Sequence, residues 1–356
     1  MTESLKTGAT IGILGGGQLG RMLSVAAARL GFKTCIFEPA GDCPASHVAN
    51  FHMKAGYDDT DALKRFAESV DVITFEFENI PTSALDALEA VKPIHPNRRA
   101  LATSQDRLTE KEFLRGLGLQ TAHFADVSDT ASLDAAIAKI GTPAILKTRR
   151  MGYDGKGQAR LSSPQDAADA LADMAGAPAI LEGFVSFTHE VSVIAARNPE
   201  GAIACYDPGE NVHVGGILST TTVPAKLTAG QASDAVLIAA RILNALDYVG
   251  VMGVELFVTA EGLIVNEIAP RVHNSGHWTQ NGCTIDQFEQ HIRAIAGWPL
   301  GDGTRFANVT MENLIGDDIA QIPDIAQSGA AIHLYGKADA KPGRKMGHVN
   351  RVTGPV

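Results

Sequence analysis

Thr10-Ile11-Gly12-Ile13-Leu14-Gly15-Gly16-Gly17-Gln18-Leu19-Gly20 runs from an apolar strand through a glycine turn into a helix. Leu19, Met22, Leu23, Ala26 and Leu30 then recur on one helical face until Gly31 ends it. Working outward, Lys33 to Phe37 reads as a second strand, Asp61 to Glu68 as a helix and Asp71 to Phe75 as a third strand. That β-α-β-α-β order implies a parallel sheet with right-handed crossovers and ligands at its carboxyl edge. The turn also fits the G-x-G-x-x-G pattern, and Glu38 closes the second strand where a ribose-binding acid belongs in a dinucleotide fold. A nicotinamide oxidoreductase is one reading of this stretch. No catalytic section of dehydrogenase type follows it, so NAD is not expected.

The remaining chain falls into two further sections. From about 119 to 206, strands at 144–147, 179–181 and 190–195 mix with an Ala-rich helix, Pro164 to Met174. From about 207, a long helix (Gly230 to Leu246) precedes strands Val251 to Val258 and Leu263 to Glu267. A chain of 356 residues suits two or three domains. With 45% hydrophobic and 20% charged residues it can pack cores, which excludes disorder. Its net charge of −10 disfavours a nucleic-acid binder. No apolar run approaches the ~20 residues of a membrane span. The first ten residues hold no signal-peptide core, so a cytoplasmic location is expected. Cys35, Cys43, Cys205 and Cys283 lack the spacing of a zinc site or a disulfide framework.

Four stretches carry chemistry. Gly152-Tyr153-Asp154-Gly155-Lys156-Gly157-Gln158 places three glycines and a lysine together, with Lys147 on the strand before it. Backbone N–H groups plus two cations suit a phosphate cradle, although the Walker pattern is absent; a hairpin turn with a solvated lysine is the alternative. Glu255 and Glu267 come next. With a three-residue loop Ala260-Glu261-Gly262, pairing 258 with 264 and 256 with 266 brings the two acids directly opposite each other. Like charges opposed across strands are destabilising, and a divalent cation with oxygen ligands reverses the sign. Protonation of one acid, or another register, is the alternative. Glu182-Gly183-Phe184-Val185, with Glu190 beyond, offers acids and strand backbone to a nucleoside. Finally, Arg271, His273, Asn274, Ser275 and His277 cluster directly after Glu267, too polar for a core.

Taken in order, Lys147, the glycine loop, Glu182 to Val185, Glu255, Asn266-Glu267 and Arg271 to His277 resemble the ATP-grasp superfamily. More narrowly they resemble the 5-(carboxyamino)imidazole ribonucleotide synthases. Ile13 to Met22, His333 to Lys337 and Gly343 to His348 are similar to the same family. Arg149-Arg150-Met151 departs from the residues usual before the loop. The resemblance implies an α/β, three-part architecture: a Rossmann-like domain at 1–117, a central α+β lid domain at 118–206 and a C-terminal α+β domain at 207–356. It implies a homodimer that uses ATP and magnesium (manganese as a substitute) to join bicarbonate to 5-aminoimidazole ribonucleotide. It also implies nucleotide contacts for Arg107, Lys147, Gly152 to Gln158, Glu182 to Val185, Glu190, His213, Asn266 and Glu267. Metal would sit on Glu255 and Glu267; Arg271, His273, Asn274 and Lys156 would be catalytic. Gly17, Gln18, Leu19, Tyr153, Asp154, Arg271 and Ser275 would meet the ribonucleotide. Lys337, Arg344 and Lys345 are anchored cations amid glycines on an acidic chain, suited to that substrate's phosphate. Another ATP-grasp enzyme, such as a formate-dependent transformylase or a biotin-carboxylase-like protein, is the nearest rival.

Overall fold

A computed structural model describes residues 4–152 and 155–355. The expected parallel sheet is present. Strands β1 (Thr10–Leu14), β2 (Lys33–Phe37), β3 (Phe51–Met53) and β4 (Val72–Phe75) lie in the order β3-β2-β1-β4, all parallel. Ile11, Ile13, Leu14, Ile36, Val72 and Ile73 are buried, as both faces of a parallel sheet must be. The helix Gln18–Arg29 packs Leu19, Met22, Leu23 and Ala26 inward. Its apolar cluster continues into Phe288, Ile292 and Ile295 of a helix from the far end of the chain. Arg29 reinforces that junction with Asp286 and Glu289, each at 3.0 Å.

The glycine turn has a use other than a pyrophosphate. Gly17 and Gly20 donate their backbone N–H groups to the two oxygens of Glu76, and Gly16 donates to Glu38 at 3.1 Å. Glu76 is buried at the end of β4, so the donors at this helix N-terminus already hold an internal carboxylate. That geometry commits these three amides to internal carboxylates.

A second sheet, order β5-β8-β6-β7, contains β5 (Phe124–Val127), β6 (Ala144–Thr148), β7 (Gln158–Leu161) and β8 (Ala179–Gly183), all antiparallel. Helices Thr130–Ile140 and Ala167–Asp173 cover it through Leu133, Ile137 and Ala170. The helix read from Pro164 opens instead as a short 3₁₀ turn, Pro164–Asp166.

The third sheet has nine strands: β9 (His189–Arg197), β10 (Ile203–Cys205), β11 (Gly209–Val214), β12 (Ile217–Val223), β13 (Gly250–Thr259), β14 (Gly262–Ala269), β15 (Ala307–Ile315), β16 (Ala331–Leu334) and β17 (Lys345–Pro355). Their order is β14-β13-β9-β11-β12-β15-β17-β16, with β10 on β9. The strand read over 190–195, grouped in sequence with the section ending at 206, therefore hydrogen-bonds inside this sheet. The hairpin register needs one correction. Thr259 pairs with Gly262, so the turn is two residues, and Val258 faces Leu263 while Leu256 faces Val265. A bulge between Glu255 and Leu256 then shifts the ladder by one, and Glu255 faces Glu267 after all.

Glu76→Ala leaves the buried Gly20 amide and the half-buried Gly17 amide without acceptors and should lower stability by about 2–5 kcal/mol. Glu76→Gln, which keeps one acceptor oxygen, should lose less. Urea unfolding midpoints of the two variants check this ordering.

Candidate active site

Four adjacent strands carry the functional row. Glu267 (β14), Glu255 (β13), Glu190 (β9) and His213 (β11) follow one another across the nine-stranded sheet. The second sheet supplies Lys147, whose register partner is Gln158 at the end of the glycine loop. The helix Arg107–Gly116 contributes Arg107, whose guanidinium donates to Glu267 Oε2 at 2.9 Å.

Electrostatics separate the two facing acids. Burial, then the charge of Glu267, pushes the Glu255 carboxyl up to about 7. Burial also opposes the charge of Glu267, but Arg107, then Lys147 and Lys111, outweigh it and hold that carboxyl at about 2. Glu267 keeps 40% of its side chain open. His213 lies 3.1 Å from Glu190; burial lowers its basicity, and the Glu190 carboxylate more than restores it. These two residues were both expected beside the adenosine, and the fold brings them together.

Other expected residues have duties the sequence did not show. Glu182 is buried and accepts from Lys147 at 2.8 Å; burial opposes its charge, but Lys147 and Lys111 hold it at about 2. Its side chain serves the lysines, and β8 itself is paired on both sides, with the Gly183 and Phe184 N–H groups donating to the His123 and Pro143 carbonyls at 2.8 and 3.1 Å. Asn274 exchanges amide hydrogen bonds with Asn313 at 2.7 and 3.0 Å. Ser275, expected at the substrate, is fully buried. Ser192 donates to Ser275 Oγ at 2.7 Å, and Ser275 lies 2.8 Å from His273 Nδ1. His273 Nε2 is 3.4 Å from Glu255, and burial, then Arg271, lowers its basicity to about 3, so the ring is neutral. Arg271 is aimed by Glu78, 2.9 Å from its Nε.

The glycine loop leans on these groups. A Cβ at Gly152 would lie 3.3 Å from Arg107 Nη2. Gly157, at φ +69°, has no room for a side chain because Thr148 Oγ1 would be 2.6 Å away. Lys156 is exposed, and Tyr153 and Asp154 lie outside the described residues. The stem of the loop is clamped: Arg149 reaches Asp106 by two bonds of 3.0 and 2.9 Å, and Arg107 N–H donates to the Arg149 carbonyl at 2.9 Å. Asp106 also caps the helix through the Leu108 N–H. The unusual arginines before the loop thus bind the residue beside Arg107.

The tail cations spread out. Lys337 Nζ donates to the Lys345 carbonyl at 2.7 Å, and Arg344 donates to the Asp339 carbonyl at 3.1 Å. Gly336 abuts Arg21 and His47 of the first section, whereas the charge of Lys345 is felt at His213 and His273. The tail therefore bridges from the glycine turn of Gly17, Gln18 and Leu19 toward the acid row.

Family models match the chain in three consecutive pieces: a ribonucleotide synthetase preATP-grasp domain at 8–105, an ATP-grasp domain at 112–288 and a phosphoribosylaminoimidazole carboxylase C-terminal domain at 309–354. An N5-carboxyaminoimidazole ribonucleotide synthase of Brucella melitensis is 55% identical over 353 residues, 98% of each chain. The chain belongs to the N5-carboxyaminoimidazole ribonucleotide synthase family. The Pseudomonas aeruginosa member is 45% identical, covering 95% of this chain and 93% of its own. A synthetase of the family solved as its ADP complex superposes with a TM-score of 0.96 at 42% identity, over 99% of this chain and 94% of its own. The Aspergillus clavatus synthase solved with ADP and 5-aminoimidazole ribonucleotide gives 0.92 at 32% identity, over 98% and 94%. Membership makes this chain an ATP-dependent carbon–nitrogen ligase and carries the α/β, ATP-grasp architecture with it.

Asp106→Asn keeps the helix cap and loses the charge that holds Arg149, at a cost of about 1.5–3 kcal/mol. Burial opposes the charge of Asp106, but Arg149 outweighs it and keeps the folded-state pKa depressed. The contribution is therefore present above the ordinary carboxyl value of about 4 and lost as pH falls through the depressed one. Thermal melts should show the wild-type advantage at pH 7 shrinking below about pH 4.

Proposed function

We propose that the chain condenses ATP, bicarbonate and 5-aminoimidazole ribonucleotide to N5-carboxyaminoimidazole ribonucleotide, with ADP and phosphate as products. The observation that carries this reading is the acid pair Glu255 and Glu267, one of which, Glu267, Arg107 contacts and Lys147 helps to keep charged. Phosphoryl transfer needs positioning and charge neutralisation rather than a protein nucleophile, and this array supplies both.

A bicarbonate oxygen attacks the γ-phosphorus, the bond to ADP breaks, and carboxyphosphate forms. The exocyclic amine of the ribonucleotide then attacks the carboxyl carbon, directly or after carbon dioxide is released, and inorganic phosphate leaves. Lys147, Lys156 and the amides of Gly155, Gly157 and Gln158 hold the phosphates. Arg107 faces the transferring group. The segment from Glu182 to Val185 at the end of β8, with Glu190 and His213, frames the adenosine. Arg271 and His273 meet the reacting carboxylate, with Asn274 and Ser275 positioning that loop. The turn at Gly17, Gln18 and Leu19, together with Lys337, Arg344 and Lys345, takes the ribonucleotide.

Two facing acids, one pushed up to about 7 while the other stays charged, fit a divalent cation. Magnesium or manganese on this pair would take phosphate and water oxygens as its remaining ligands. Glu255 and Glu267 would hold the ion, which would supply neutralisation of phosphate charge. A homodimeric, cytoplasmic enzyme completes the proposal and rests on the family resemblance; no helix among the described residues is long and apolar enough to cross a membrane.

Phosphate release from ATP and bicarbonate should depend strongly on added 5-aminoimidazole ribonucleotide, and labelled bicarbonate should enter the product. Label in no ribonucleotide product would overturn the reading. Glu255→Gln should abolish this ATP hydrolysis in a folded chain. Arg344→Ala should raise the KM for the ribonucleotide about 10- to 150-fold, since a charge-assisted hydrogen bond is worth about 1.5–3 kcal/mol, and leave the KM for ATP nearly unchanged.

A further inference from the structure

The helix Arg107–Gly116 presents Arg107, Glu110 and Lys111 at spacing i, i+3, i+4, which puts them on one face. That face lies against β14, the terminal strand of the nine-stranded sheet. A terminal strand has backbone N–H and C=O groups that no neighbouring strand pairs. Here side chains and one carbonyl do so. Val265 N–H donates to the Gln120 carbonyl at 2.8 Å, Lys111 Nζ donates to the Asn266 carbonyl, and Ile268 N–H donates to Glu110 Oε1 at 2.8 Å.

The two residues that flank Glu267 are therefore held by consecutive side chains of one helix, while Arg107 from the same face holds the Glu267 carboxylate. The support falls where the ladder to β13 is interrupted, because the bulge between Glu255 and Leu256 breaks the register opposite Asn266. Strand pairing alone does not fix the backbone there. Lys111 also lies 3.7 Å from Glu182, whose other oxygen binds Lys147, so the same side chain borders the phosphate lysine. Glu110 and Lys111 are both buried, at 2% and 1% exposure. Burying an acid and an amine is costly, and apolar residues of similar size serve stability at least as well. Their use here points to orientation.

We propose that Glu110 and Lys111 are positioning residues that fix the Asn266–Ile268 backbone and thereby aim the Glu267 carboxylate at the cation of the bound nucleotide. The inference rests on the ligase and metal reading above. Outer partners of metal ligands, when removed, typically weaken metal binding about 10- to 100-fold.

The test is calorimetric binding of ADP to the full chain, with magnesium and separately in EDTA, accompanied by thermal melts. Glu110→Leu and Lys111→Met should weaken ADP binding in magnesium about 10- to 100-fold, with a change below about threefold in EDTA. Glu110→Gln keeps an acceptor for the Ile268 N–H and should stay within about threefold of wild type in both. Lys111→Met carries the comparison if Glu110→Leu fails to fold. Equal weakening in EDTA, a Glu110→Gln defect as large as that of Glu110→Leu, or unaffected variants of a magnesium-dependent wild type overturns the proposal. A wild-type affinity for ADP that ignores magnesium overturns the metal assignment as well.

Discussion

Two glutamates held face to face on neighbouring strands set the constraint that the rest of this molecule answers. Like charges at opposed strand positions repel, and burial strengthens the repulsion. The fold distributes the tension unequally. Arg107, Lys147 and Lys111 surround Glu267 and keep it ionised, whereas Glu255 rests beside a neutral His273 and is pushed toward its protonated form. Arg107 and Lys111 come from one helix, whose start Asp106 fixes, and Lys147 comes from the second sheet, where Glu182 anchors it. The charge of one carboxylate thus joins the helix and the second sheet to the third, beside the bonds of Glu110 and Lys111 to its terminal strand.

The same logic accounts for the first section. Its glycine turn has the spacing of a nucleotide cradle, yet the donors are spent on Glu76 and Glu38. A helix N-terminus attracts anions, and here the anion is a side chain. The first section is instead fixed to the third through a shared apolar cluster and through Arg29, which brings its turn within reach of the C-terminal tail.

Sequence reading recovered what is local or periodic. The parallel sheet follows from alternating strand and helix patterns, and Lys147, the glycine loop and the polar run from Arg271 to His277 are compact signals. The opposition of Glu255 and Glu267 was legible as well, although the assumed three-residue turn was wrong and the bulge compensated for it. Contacts between distant segments left no such mark. Nothing local links Glu78 to Arg271, Asn313 to Asn274, or Glu76 to Gly17. Ser275 and Glu182 look like surface polar residues in sequence, and only packing shows them turned inward. Asp106, Glu110 and Lys111 had a usable signal, since they share a helix start and face with Arg107, but which strand that face meets is a tertiary fact.

The bulge in the acid hairpin has a consequence for how this protein can vary. It acts as a phase reset: the eight paired residues nearest the tip, 256–259 with 262–265, run in one register, and the acids run in another. Changes in tip length therefore need not propagate to the catalytic end, because a compensating residue can be gained or lost at the bulge without turning either glutamate to the opposite face. The tip becomes a place where the lineage can drift, and where an engineer can graft a tag or a reporter, while the chemistry a few residues away keeps its alignment.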